Sequence, residues 1–160
     1  MPASALRAFR LLRAFGALEY ALKQVPGFTD TYSNGSAKVN WQAVDTSLEA
    51  MQPELLTLAV SDSTKQKILG GNRDRPMVQV VTVHGGHNIT AFRAKALSAS
   101  DPRALMQAAR RVRNNLFHGG KEDPLEEAFP GDDNQWITAA TDVASGVLDL
   151  VVNGRLRPLP

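Results

Sequence analysis

The chain contains no cysteine. Disulfides, thiol nucleophiles and thiolate metal sites are therefore excluded, and the absence suits a reducing compartment. No apolar run approaches the roughly 18 residues that cross a bilayer, so the expectation is a cytoplasmic protein with no membrane partner. Acidic residues are missing before Glu19, and the arginine-rich N-terminus superficially resembles a transit peptide. Against that, Leu6, Phe9, Phe15, Leu18 and Leu22 keep a helical period straight into Glu19–Lys23, the pattern of a core helix. Internal repeats and low-complexity tracts are also lacking. No glycine-flanked serine suggests a nucleophile elbow. Gly85–Gly86 is followed by neither Lys-Ser nor a helix start, which removes a phosphate loop.

What remains is a chain of 160 residues, 43% hydrophobic and 21% charged, enough for one globular domain with its own core. Formal net charge is only +2, so the placement of charge matters more than its sum. Arg7, Arg10 and Arg13 lie along the first helical segment, and Arg103, Arg110, Arg111 and Arg113 lie along a later one. A basic helix suits phosphate, although a charged helix face is commonly just solvated.

The pattern predicts a mainly α fold, an up-and-down helical bundle with a short β-hairpin insertion. Residues 1–152 form a single domain on this reading, and 153–160 a flexible C-terminal tail. The first helix runs from about Ser4, a suitable N-cap, to Gln24, where Val25-Pro26-Gly27 ends it. Asn34-Gly35-Ser36 marks a turn. A helix is expected over Trp41–Met51, and another from Pro53 to Leu69, stopped by Gly70-Gly71-Asn72. Met77–Val83 is rich in β-branched residues, and a glycine turn at His84–Asn88 returns it through Ile89–Phe92, a hairpin pattern. Asp101-Pro102 opens a helix with the stripe Leu105, Met106, Ala109, Val112 and Leu116, closing at His118-Gly119-Gly120. The last helix spans Asn134–Val152.

The end of that fifth segment, Arg113-Asn114-Asn115-Leu116-Phe117-His118-Gly119-Gly120, carries the chemistry. An imidazole moves protons, and a guanidinium neutralises charge building on a five-coordinate phosphate. Together they can cleave RNA without a metal or cofactor, His118 acting on the 2′-hydroxyl or leaving 5′-oxygen and Arg113 on the phosphate. The product would be a 2′,3′-cyclic phosphate. Five residues turn a helix by about 500°, so the two side chains diverge by about 140° and sit about 7.5 Å apart along the axis. That spacing suits a site shared by two copies around a two-fold axis, or a distorted helix end. Arginine and histidine before glycine are equally ordinary capping chemistry.

Arg113 to Lys121 resembles the ribonuclease motif of HEPN-domain proteins: an arginine, a polar neighbour, and a histidine after four to six positions. Phe15–Lys23 is similar to the first helix of some members, where a glutamate and a lysine four apart accompany the pair, and Val39-Asn40-Trp41 resembles the start of the next helix. The likeness covers the first helix and the region from Pro102 to about Val152. It implies a helical bundle, a homodimer through the motif helices, and metal-independent endoribonuclease activity in toxin–antitoxin, phage-defence or RNA-processing settings. Arg113 and His118 are then catalytic and Asn114 supporting. Glu19 and Lys23 would position the pair, or simply form an i, i+4 salt bridge. Arg110, Arg111 and Lys121 are candidate RNA contacts, and the partners are RNA and an antitoxin or other defence protein. Gly120 stands where some HEPN toxins carry a tyrosine modified by a partner nucleotidyltransferase, so that control is not implied. The alternative is a non-catalytic HEPN-like dimerisation module that binds RNA, a nucleotide or a protein.

Other features have plainer readings. His84 and His87 flank glycines and suit a turn better than a three-histidine metal site, so no metal is expected. Trp41 and Trp136, near helix starts on the apolar side, suit core packing more than base stacking. Glu122-Asp123 and Asp132-Asp133 read as loop acids.

Overall fold

The computed structural model describes residues 3–57, 59–71, 73–117 and 132–160. Their order is α1 (Ala3–Lys23), β1 (Thr29–Thr31), β2 (Ala37–Val39), α2 (Trp41–Ala50), α3 (Pro53–Thr57), α4 (Asp62–Leu69), β3 (Val78–His84), β4 (His87–Arg93), α5 (Asp101–Phe117) and α6 (Asp132–Val152). The fold is mainly α with two small antiparallel hairpins, β1–β2 and β3–β4.

The long helices α1 and α6 pack along each other, and α5 packs on α6. On α1 the buried residues are Leu11, Phe15, Leu18 and Leu22, spaced four, three and four apart, so they form one stripe. Leu6 and Phe9, expected to share that stripe, are instead 46% and 53% exposed. They lie on the other side of α1, because the buried stripe runs through Leu11 and Phe15. From α6, Val143, Ala144 and Val147 are fully buried, and from α5, Ala104, Leu105, Met106 and Ala109. Small residues alternate with large ones on both helices, which lets the axes approach closely.

Local chemistry sets the boundaries. Asn40 caps α2, its side chain accepting from the Ala43 amide at 3.1 Å. The single helix expected over Pro53–Leu69 is two. Ser61 has an extended backbone, accepts from the Thr64 amide and starts α4 afresh. Its amide and hydroxyl both donate to Asp142 of α6, at 2.9 and 3.0 Å, so the break is pinned to the core. The Asn34–Ser36 turn joins strands that their polar sequence concealed, with Thr29 opposite Val39. In the second hairpin His84 opposes His87, and both glycines between them have positive φ, +57° and +79°, the pattern of a type I′ turn. The histidines thus flank a tight turn.

Residues 153–160 carry no helix or strand, yet they pack on the domain. Gly154 adopts φ +68°, and the amides of Arg155 and Leu156 both return to the Leu150 carbonyl. Leu156 is 1% exposed within the core, and Pro158 lies against Gly27, where a Cβ would sit 2.9 Å from it. A Leu156→Ala variant should therefore lose about 2–4 kcal/mol in urea unfolding, as buried leucine truncations do. A loss below about 0.5 kcal/mol, the size of a typical surface substitution, would show that this segment does not contribute to the core.

Candidate functional site

Helix α5 is buried on one face yet carries four arginines, and the rest of the chain supplies a partner for each. Arg103 donates to Glu49 at 2.7 Å. Arg110 donates from Nη2 to both carboxylate oxygens of Asp45, at 2.9 and 2.7 Å, and its guanidinium lies 4.8 Å from the centre of the Trp41 ring. Asp45 and Glu49 are one turn apart on α2, while Arg103 and Arg110 are two turns apart on α5. The crossed order of the pairs shows that the two helices run antiparallel. Asp45 is only 7% exposed, so its carboxylate oxygens are satisfied by this partner in place of water.

Arg111 points elsewhere. It donates to the carbonyls of Pro76, Lys95 and Ala96, at 3.2, 2.6 and 3.4 Å, and so clasps both ends of the β3–β4 hairpin. Burial, then the neighbouring charge of Arg110, pushes its pKa below the ordinary guanidinium value. One turn on, the Asn115 side-chain amide donates to the Met77 carbonyl at 2.9 Å. Arg110 and Arg111, both candidate RNA contacts, are thus engaged within the chain.

Arg113 reaches α1. It donates from Nη1 to Glu19 at 2.7 Å, and its guanidinium lies 4.9 Å from the centre of the buried Phe15 ring. Phe15 and Glu19 are successive members of one α1 face, so the helix presents an aromatic floor and a carboxylate stop to the same cation. The Arg113 side chain retains 21% exposure, and Nη2 has no protein partner among the described residues. A guanidinium so held is fixed in direction and keeps donors unspent. Asn114 is exposed beside it. Lys23, one turn beyond Glu19, makes no ion pair among the described residues, so the carboxylate is joined to α5 and not to its i, i+4 neighbour.

His118 and Lys121 lie outside the described residues, as do Glu122 and Asp123. Among the described residues no three histidine or acidic side chains converge as metal ligands. Trp41 and Trp136 pack partly buried against the core, Lys67 lying 4.9 Å from the Trp136 ring. The residues that sequence reasoning passed over are Asp45 and Glu49. Their i, i+4 spacing on α2, matched to arginines seven apart on α5, was the available signal.

Removing Asp45 leaves Arg110, its side chain 17% exposed beside Trp41, without its carboxylate. Asp45→Ala is expected to cost about 3–5 kcal/mol in chemical denaturation. A cost under 1 kcal/mol, typical of solvated pairs, would contradict the burial assigned to it.

No helix among the described residues is long and apolar enough to cross a membrane. No family model, curated protein or solved structure matches this chain.

Proposed function

We propose that the chain is a metal-independent endoribonuclease with a HEPN-type bundle, working as a homodimer in which two copies of the motif helix meet. The observation that supports this most is the hold on Arg113. Of the acids on α1 and α2, Glu19 is the one that the family resemblance singles out, and it is the one that grips the motif arginine. With Phe15 beneath, the guanidinium is set before substrate arrives, which is the preorganisation that stabilising a phosphorane requires.

The reaction balances without a cofactor. The 2′-oxygen of RNA gives up its proton and bonds to phosphorus. The P–O5′ bond breaks, and the departing 5′-oxygen takes a proton. His118 moves these protons and Arg113 neutralises the extra charge on the equatorial oxygens. Asn114, exposed beside Arg113, supports a phosphate oxygen. The setting proposed is a cytoplasmic toxin or phage-defence effector, with an antitoxin or other defence protein as its partner.

A second reading has its own support. Glu19 already cancels part of the Arg113 charge, which suits a non-catalytic HEPN-like module that uses the same groove only to bind. Purified protein incubated with mixed RNA and a chelator separates the two. Wild type should cleave, while Arg113→Ala and His118→Ala should each lose about 100-fold or more in rate. Glu19→Gln should keep the fold and lose less. Cleavage at equal rates by wild type and both variants, or by none of them, overturns the enzymatic assignment.

A further inference from the structure

The β3–β4 hairpin presents apolar side chains that the described residues leave uncovered. Val81 is 67% exposed and Val83 72%. The sheet has two strands only, so each strand has one unpaired edge among the described residues. Natural sheets guard such edges with charge, proline, bulges or a covering element. β3, Val-Gln-Val-Val-Thr-Val-His, contains no Lys, Arg, Asp, Glu or Pro. Its two-residue turn makes His84 and His87 a hydrogen-bonded pair, so the N–H and C=O groups of Gln79, Val81 and Val83 point away from β4 to the free edge.

We propose that this edge pairs with the same edge of a second copy, β3 running antiparallel to β3 across a two-fold axis at Thr82. In that register Val81 lies opposite Val83 of the partner subunit, so all four exposed valines are covered. Thr82 meets its own copy, a favourable cross-strand pair, and no like charges are opposed. A two-fold axis makes neighbouring β3 strands antiparallel, as this ladder requires. The exposed apolar residues of α1 do not offer the same fit. Leu6, Phe9 and Leu12 stand beside Arg10 and Arg13, and a second copy there would bring like charges together.

So short a ladder buries less than the roughly 1,200 Å² of a stable interface. It therefore acts together with the motif-helix contact proposed above, and the inference rests on that reading. Arg111 and Asn115 fasten the hairpin root to the last turns of α5, so an axis near that helix end carries both hairpins with it.

The cysteine-free chain makes the register directly testable. In Thr82→Cys the paired thiols would face each other across a non-hydrogen-bonded position, with Cα atoms about 4.5 Å apart, inside disulfide range. Mild oxidation of the full chain should convert most of this variant into a covalent dimer, at least tenfold more than Thr90→Cys on the opposite strand. Sedimentation of Val81→Lys/Val83→Lys should show dimer dissociation at least tenfold easier than in wild type, with Ile89→Lys unchanged and circular dichroism reporting the fold. If the lysines unfold the hairpin, the cross-link alone decides. Equal cross-linking at 82 and 90 overturns the proposal. If wild type is nonetheless dimeric, the motif-helix dimer stands without the hairpin; if wild type is monomeric, both contacts fall. RNA cleavage by the same samples reports separately on the enzymatic reading.

Discussion

A helix buried against its neighbours cannot keep four unpaired guanidinium groups, and that constraint organises this molecule. Burial of Ala104, Leu105, Met106 and Ala109 holds α5 on the core, so Arg103, Arg110, Arg111 and Arg113 must be satisfied from within. Three find carboxylates on α1 and α2, and the fourth finds backbone carbonyls at the base of the hairpin. The partners come from three places in the chain, so the arginines of α5 act as the cross-members joining α1, α2 and the hairpin to one axis. The basic sequence of this helix is therefore mostly internal wiring and contributes little free positive field to the surface.

Arg113 shares this pattern with its neighbours. Arg103 and Arg110 also each donate from a single nitrogen to one carboxylate, Arg110 over the Trp41 ring, while Arg111 donates to three carbonyls. Arg113 meets one carboxylate oxygen and an aromatic face, and retains a donor without a protein partner among the described residues. A cation anchored on one side and open on the other is an arrangement suited to a transient anion. Under the proposed function, Glu19 competes with the phosphate for this charge but fixes its direction, and a five-coordinate phosphate, more negative than a ground-state diester, gains more from it.

Much of this was legible in the sequence. Apolar periodicity placed α1, α5 and α6 to within about two residues, the usual scatter of helix ends. Gly85-Gly86 and the Gly27 stop acted as their chemistry predicts. The family resemblance offered Glu19 either as a positioning residue or as an i, i+4 partner of Lys23, and the structure pairs it with Arg113. What was hidden depended on contacts distant in the chain. Ser61 looked like one more polar helix residue until Asp142, from α6, fixed it as a cap. Thr29–Thr31 and Ala37–Val39 are too short and polar to announce strands. Leu6 and Phe9 fitted the α1 period by type, and only the packing of α6 decided which face is inside. Leu156 followed the last helix in a stretch of Gly, Arg and Pro that read as a free tail, although its side chain fills the core.

The proposed function requires that an arginine–histidine pair drive attack by the 2′-hydroxyl without a metal. The most direct measurement compares, in the presence of chelator, an RNA that the protein cleaves with the same strand bearing a single 2′-deoxynucleotide at the cut site. The first strand should yield a 2′,3′-cyclic phosphate end, and the second should show no cleavage at the modified position. Cleavage of both strands at the same rate, or cleavage that appears only when a divalent metal is restored, would contradict the proposed function.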